Sequence, residues 1–220
     1  MASTVARLFS DADRDRIRAA VKDAEQKTSG EIVPYVVERS DTYEFAEWRG
    51  GALLGTTVAT LFVALHEFTP VWLPLDFAGL VVLTIVAFVA GMLLVRFSRP
   101  LKRLLAGSAE MEHRVSQRAA EAFVAEEVFK TRDRTGILLF ISLLEHRVLV
   151  VGDEGINAAV DKSEWDDVVA TVVAGLKAGK PAEGLLKAIG MCGELLHRQG
   201  VKRKPDDTDE LSDRLRMRDR

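Results

Sequence analysis

Residues 152 to 155 read Gly-Asp-Glu-Gly directly after an apolar run, and they carry side chains that could do chemistry. Because α/β folds bind ligands beyond the ends of their strands, Asp153 is a predicted ligand-binding residue. The other interpretation is a loop-forming Asp-x-Gly turn, in which Asp153 only shapes the backbone. Glu31 and Asp133 are weaker acidic candidates.

Glu145, His146 and Arg147 form a second group, placed between two short apolar runs. An acid beside a base can move protons, but catalysis also needs a pocket and a partner that orients them. A polar turn that joins two strands accounts for the same residues and predicts that they are exposed. The sequence therefore assigns no catalytic residue, and whether the protein is an enzyme stays open.

Cys192 and Arg198 have the Cys-x5-Arg spacing of cysteine phosphatases. That chemistry needs a loop of free backbone N–H groups around the phosphate and a lowered thiol pKa. The residues between them have helical character, and N–H groups inside a helix are already bonded. We therefore expect Cys192 to be a small apolar residue on a helix.

Two long apolar segments must be placed before any of these residues can be interpreted. Residues 50–66 carry no charged side chain, and residues 77–97 carry one. Their lengths are close to the roughly 20 residues that cross a bilayer core. The sequence predicts a transmembrane hairpin over residues 50–97, with helices at about 50–67 and 76–97. Two buried core helices are the alternative, which the near absence of charge disfavours.

Basic residues occur at the two outer ends of the hairpin, which lie on the same side of the membrane. They are Arg49 before it, and Arg96, Arg99, Lys102 and Arg103 at its end or after it. The connecting loop has no Lys or Arg and contains Trp72, an aromatic residue suited to the membrane interface. By the positive-inside rule, both termini and the main domain are predicted to be cytoplasmic, in a multi-pass protein of the plasma membrane.

Small residues recur at helical spacing in both apolar segments, as Gly51 and Gly55 in the first and Ala87 and Gly91 in the second. Such residues let helix backbones approach closely, so they could pack the hairpin or a dimer. Ordinary Gly and Ala content of a membrane helix explains them equally well. A homo-oligomer is therefore one open alternative.

The remaining sequence alternates helical and strand patterns in the order helix, strand, membrane hairpin, helix, strand, strand, helices. The predicted fold is an α/β sandwich with about three or four strands flanked by helices. Residues 1–49 and 98–200 are predicted to form one domain, and residues 201–220 a mobile charged tail. The net charge of −3 offers no case for nucleic-acid binding.

Several stretches together resemble the TPM domain family, and more narrowly its bacterial membrane branch, over residues 8 to about 200. They are KTSGEIVPYVV, RTGILLFISLLEHRVLVVGDEGI, SEWDDVV, GLLKAIGMCGELL and DELSDRL. The resemblance implies an α/β sandwich with about four strands. It also implies acid phosphatase activity, known in some plant members, and Ca²⁺ bound in acidic loops. The nearest match to those loops offers Asp153 and Glu154, with Asp11 as a further partner.

The predicted function is that of a membrane protein whose cytoplasmic domain is an adaptor or regulator of membrane-protein assembly or maintenance. Its predicted partners are the lipid bilayer and other membrane proteins. The alternative is a phosphomonoesterase that uses an acidic loop, with or without a divalent metal.

Overall fold

The computed structural model describes residues 4–68, 76–203, 205 and 210–219. The chain divides into two compact units. The first unit combines Met1–Asp41 with Glu112–Arg220, and the second unit is Thr42–Met111. Each unit is described below by itself.

The first unit contains most of the helices and all the described strands. In chain order they are α1 (Thr4–Leu8), α2 (Asp11–Glu25), β1 (Glu31–Val37), α6 (Ser108–Ala125, most of which belongs to this unit), β2 (Gly136–Ser142), β3 (Arg147–Gly152), α7 (Glu154–Ala159), α8 (Asp166–Lys177), α9 (Pro181–Arg198) and β4 (Arg216–Arg218). The second unit contains α3 (Glu44–Phe68), α4 (Phe77–Phe97) and α5 (Arg99–Ala106).

The strands form one mixed sheet in the order β3-β2-β1-β4. Strands β1 and β2 are parallel, with Glu31 opposite Gly136, and β4 is parallel to β1. Strand β3 returns antiparallel to β2 through the turn that contains His146, whose φ is +52°. The predicted α/β class, the strand number and the hairpin of β2 and β3 are therefore confirmed.

Helices cover both faces of the sheet, which explains why β1 and β2 are apolar at nearly every residue. Ile32 and Val36 of β1 pack with α2, α8 and α9 in one core. Val33 and Tyr35, which point to the opposite face, pack with α6 in a second core. The ring of Tyr35 stacks on that of Phe140 with their centroids 5.7 Å apart.

The C-terminal segment differs from the predicted mobile tail, because Arg216–Arg218 pairs with Tyr35–Val37 as strand β4. Ion pairs with Glu126, the residue after α6, hold this short strand in place. Arg216 Nε lies 3.3 Å and Arg218 Nη2 lies 3.5 Å from the carboxylate of Glu126. A charged sequence can therefore be ordered when a carboxylate of the domain receives its guanidinium groups.

Strand β1 contains Pro34 although it is an inner strand of the sheet, and proline is usually confined to edge strands or bulges. Ile32 N, two residues earlier and on the same side of the strand, donates to Glu25 Oε1 and not to a neighbouring strand. The pairing with β4 begins only at Tyr35. Pro34 therefore lies where the absence of its N–H breaks no hydrogen bond between β1 and a neighbouring strand.

In the second unit α3 and α4 pack antiparallel. Gly50 near the start of α3 lies against Val95 near the end of α4, and Gly55 lies against Thr84, which is earlier in α4. Both helices are long and apolar enough to cross a membrane, judged by length and composition. Residues 69–75, which include the predicted interfacial Trp72, lie outside the described part of the chain.

Glycines make the approach of these two helices close. A Cβ atom at Gly91 would lie 2.5 Å from Gly50 O, and one at Gly51 would lie 2.9 Å from Phe88 O. Real Cβ atoms do not approach oxygen so closely, so neither position accepts a larger residue without a shift. In the structure the small residues pack α3 against α4 within one chain, which is one of the roles that the sequence left open for them.

Candidate functional site

Asp153 follows the last residue of β3 and begins α7, and its side chain is 5% exposed. Its Oδ1 accepts the N–H of Glu154 at 2.8 Å, as expected of a residue at a helix N-cap. Its own N–H donates to Gly136 O at 2.9 Å. The backbone around Asp153 is thus fixed to the start of β2.

Arg134 faces Asp153 with two nitrogens of its guanidinium group. Nη2 donates to Oδ1 at 2.9 Å, and Nε lies 2.8 Å from Oδ2. Among the described residues Oδ2 has no hydrogen-bond partner, because the approach of Nε lacks hydrogen-bond geometry. Buried polar atoms are nearly always hydrogen-bonded, so an incompletely bonded carboxylate oxygen is a place for a further ligand.

The backbone beside this pair is conformationally constrained. Arg134 has a φ of +57°, a left-handed conformation that non-glycine residues adopt rarely. Gly155 N donates to Arg134 O at 2.9 Å, and a Cβ at Gly155 would lie 2.6 Å from Asp133 O. Glycine is therefore needed at position 155 for the two loops to meet.

The other predicted metal ligands do not gather around Asp153. The side chain of Glu154 is exposed, and Asp11 forms an ion pair of 2.8 Å with Arg14 on its own helix. Among the described residues, no three His, Cys, Asp or Glu side chains come together as a metal site. A ligand role for Asp153 and Glu154 remains a prediction.

Glu31, one of the weaker candidates, has a structural contact. Its carboxylate is buried and accepts the backbone N–H groups of Glu210 and Leu211, each at 3.3 Å. Glu210 in turn accepts the N–H of Arg132 at 2.9 Å. Glu31 therefore holds the segment that leads into β4.

Strand direction changes which edge of the sheet is the expected ligand edge. Ligands of α/β folds bind at the carboxyl ends of parallel strands. Because β3 is antiparallel, Asp153 lies at the opposite edge, beside the beginning of β2. The carboxyl ends of β1 and β2 instead lie near Ser40 and Ser142, beside the turn of Glu145, for which the sequence favoured a purely structural role.

A buried network of polar groups occupies that carboxyl edge. Glu145 is only 2% exposed, which corrects the prediction that it lies in an exposed turn. Its Oε1 accepts the N–H of Ser40 at 2.8 Å, and its Oε2 accepts the hydroxyl of Ser142. The two serine hydroxyl oxygens are 2.9 Å apart. The turn is as predicted, but its glutamate points inward because the N–H of Ser40, beyond the end of β1, and the hydroxyl of Ser142, at the end of β2, donate to it.

A polar cavity of about 280 Å³ adjoins this network, lined by Ser40, Asp41, Arg114, Gln117, Arg118 and Glu121. Arg114 Nε lies 3.2 Å from Asp41, and Arg118 Nη1 lies 3.1 Å from Glu121. The two cations and two anions of the lining balance each other, and the carboxylate of Glu145 accepts the N–H of the lining residue Ser40. A phosphate dianion would have to displace carboxylates here, so the cavity suits a neutral polar or zwitterionic group better.

Cys192 lies in the interior of helix α9, as the sequence predicted, and it is fully buried. Burial raises the pKa of its thiol to about 12. Cysteine phosphatases need a thiolate at neutral pH, and this environment disfavours one. The Cys-x5-Arg spacing therefore falls inside helix α9, where the buried thiol of Cys192 is poorly suited to act as a nucleophile.

Comparison with known proteins adds a family and a fold. The family model of the TPM domain matches residues 106–195. The NMR structure of the BA42 protein from the psychrophilic bacterium Bizionia argentinensis is similar, with a TM-score of 0.57 and 19% identity, over 95% of this chain and 94% of that chain. At this identity the likeness shows a shared fold. No curated protein matches the chain.

The matched region runs from the start of α6 through most of α9, and so includes β2, β3 and the Asp153 loop. The match covers less than half of the chain, and over residues 106–195 it confirms the resemblance to the TPM domain family that the sequence predicted.

Proposed function

We propose that this protein is anchored in a membrane by α3 and α4, which cross the bilayer as a helical hairpin. The observation that carries the proposal is their exposure: only 11% and 17% of their most apolar stretches are buried. An apolar helix in the core of a soluble protein would be mostly buried. An exposed apolar surface of this size is stable in lipid and unfavourable in water.

The charge distribution supports an orientation with both termini and the TPM domain in the cytoplasm of a multi-pass plasma-membrane protein. Two single-cysteine substitutions test it, Glu67→Cys at the loop end of α3 and Ser116→Cys on α6, both at exposed positions. A membrane-impermeant maleimide should label Glu67→Cys on intact cells. It should reach Ser116→Cys only after the cells are permeabilised, and the reverse pattern would contradict the orientation.

The TPM domain is proposed to be an adaptor or regulator of membrane-protein assembly or maintenance. Strand β3 supports this role, because it is at the edge of the sheet and, within the described part of the chain, pairs with β2 alone. Most of its residues are only half-buried. Edge strands can pair with an extended segment of another protein.

Photo-crosslinking in cells tests the adaptor role. A photoreactive residue at Arg147, whose side chain is 40% exposed, should give adducts with other membrane proteins. The same residue at Ser116 is the matched control. Adducts of the chain with itself would assign the edge to a homo-oligomer. Equal adducts at both positions would contradict a partner site on β3.

A phosphomonoesterase that uses the Asp153 loop, alone or with Ca²⁺, is the second candidate function. The incompletely bonded Asp153 Oδ2 favours it, since a bound cation or a water could use this oxygen. The test is hydrolysis of a generic phosphate ester by the purified full chain, with added Ca²⁺ and with a chelator. Activity that is lost in Asp153→Ala but kept in Ser40→Ala would establish this function over the adaptor role.

A further inference from the structure

The polar cavity of the first unit lies at the carboxyl edge of β1 and β2, where α/β folds bind their ligands. Its volume of about 280 Å³ is close to the lower end of the roughly 300–1,000 Å³ that small-molecule pockets have. All six described lining residues are polar or charged. A ligand that fits this cavity is therefore small and hydrophilic.

The cavity has two walls, and both belong to the first unit. Helix α6 forms one wall with four residues spaced three or four apart, which therefore share one face of the helix. They are Arg114, Gln117, Arg118 and Glu121. The segment that follows β1 forms the opposite wall with Ser40 and Asp41.

The wall that contains Ser40 is held in place by the buried network beneath it. The N–H of Ser40 donates to Glu145 Oε1 at 2.8 Å, and its hydroxyl oxygen lies 2.9 Å from that of Ser142. Ser142 in turn donates to Glu145 Oε2. A satisfied network of buried polar groups fixes one arrangement of the backbone, so this wall is preorganised for a ligand.

The charges of the lining form two ion pairs that water reaches. Arg114 Nε lies 3.2 Å from Asp41 Oδ2, and Arg118 Nη1 lies 3.1 Å from Glu121 Oε2, with side-chain exposures between 24% and 53%. The buried Nε of Arg118 has no hydrogen-bond partner among the described residues, so this guanidinium group keeps a donor for a further acceptor. A ligand with one net charge would leave a charge of the lining without its counterpart, whereas a zwitterion keeps the balance.

We propose that this cavity binds a small polar zwitterion of the α-amino acid class. The ligand carboxylate accepts hydrogen bonds from Arg114 and Arg118, and the ligand ammonium group donates to Asp41 and Glu121. Zwitterions with a quaternary ammonium group are not expected to bind, because aromatic side chains recognise them and no described lining residue is aromatic. This site is distinct from the Asp153 loop, which lies at the opposite edge of the sheet.

Titration calorimetry of the purified full chain in detergent micelles tests the class of ligand. Glycine, L-serine and L-asparagine are the zwitterions, ethanolamine lacks the carboxylate of serine, and 3-hydroxypropionate lacks its ammonium group. We expect at least one zwitterion to bind, and both analogues to bind about tenfold more weakly or less, since each has lost the hydrogen bonds of one charged group.

Three results of this titration would overturn the proposal. The first is that none of the three amino acids binds at millimolar concentration. The second is that ethanolamine or 3-hydroxypropionate binds as tightly as the best amino acid, because one charge would then suffice. The third is that inorganic phosphate binds more tightly than the amino acids, which would make the cavity an anion site.

Variants of the full chain connect the binding to this cavity. Arg118→Gln and Asp41→Asn each remove one charge of the lining and should weaken binding of the best amino acid about tenfold. Glu112→Gln, on α6 but outside the lining and with a side chain that is 68% exposed, is the matched control and should bind like the parent. Unchanged affinity in both lining variants, or an equal loss in the control, would overturn the proposal.

Unfolding in urea separates a loss of binding from a loss of folding. A ligand that binds the folded state raises the unfolding midpoint. The best amino acid should therefore raise the midpoint of the parent and of Glu112→Gln. It should leave the midpoints of Arg118→Gln and Asp41→Asn nearly unchanged, whatever their stability without ligand. An equal rise in all four proteins would place the ligand outside this cavity and overturn the proposal.

Discussion

Glu47 Oε1 lies 2.7 Å from Lys102 Nζ, and neither side chain is more than one-tenth exposed. This ion pair joins the beginning of α3 to α5 across 55 residues of sequence. Arg96 lies 3.8 Å from the other carboxylate oxygen of Glu47, so one buried carboxylate faces two cations. Removing one member of such a pair leaves the other charge buried without its partner.

We therefore expect Glu47→Gln to lower the free energy of unfolding by about 3–5 kcal/mol, since Lys102 would keep its charge in a buried site. The measurement is reversible unfolding of the full chain in mixed detergent micelles. The double variant Glu47→Gln with Lys102→Met should recover much of the loss, because no buried charge remains. A single variant as stable as the parent would show that the pair is solvated.

The contact of α3 with α4 predicts a steric effect at Gly91. A valine there would direct its Cβ to within 2.5 Å of Gly50 O, so the two helices must separate. We expect Gly91→Val to abolish an engineered crosslink between α3 and α4. Val89→Leu, on the exposed side of the same helix, is the matched control and should leave the crosslink intact. Equal crosslinking in both variants would contradict the packing.

The Glu145 network predicts a stability effect in the first unit. Glu145→Ala leaves the N–H of Ser40 and the hydroxyl of Ser142 with one acceptor fewer, at a cost of about 1–3 kcal/mol in unfolding free energy. Glu145→Gln should cost less, because its amide oxygen can still accept one of these bonds. Glu112→Gln, with a side chain that is 68% exposed, is the control. Unfolding in urea with an unchanged midpoint for Glu145→Ala would refute the network.

The parts of the fold that could be predicted are those that neighbouring residues determine. The hairpin of β2 and β3 follows from two apolar runs around a polar turn. The start of α2 follows from Ser10, a residue type that caps helices, whose hydroxyl oxygen accepts the N–H of Asp13. The burial of Glu145 could not be predicted, because its donor Ser40 is 105 residues away. Strand β4 escaped prediction for the same reason, since Glu126 stabilises it from 90 residues away.

The candidate site was predicted less well, because its location depends on strand direction. Asp153 does follow a strand, as the sequence indicated, but β3 runs against β1 and β2. Its end therefore lies at the edge opposite the carboxyl ends of the parallel pair. The orientation of α5 was likewise hidden, since the sequence alone does not say that Lys102 turns inward toward Glu47.

The N-terminus of α2 predicts a dependence of stability on pH. Hydrogen bonds from the hydroxyl and backbone N–H of Ser10 lower the pKa of Asp13 below its ordinary value of 3.8. Because the pKa is lower in the folded state, the carboxylate contributes stability that is fully present above pH 3.8. That contribution is lost as the pH falls through the folded-state value.

We therefore expect Asp13→Asn to destabilise the protein at pH 7, and the difference from the parent to shrink below pH 3.8. Asp15→Asn, an exposed position on the same helix, is the control, and unfolding in urea at several pH values is the measurement. A difference that is independent of pH would show that the capping bonds do not depend on the charge of Asp13.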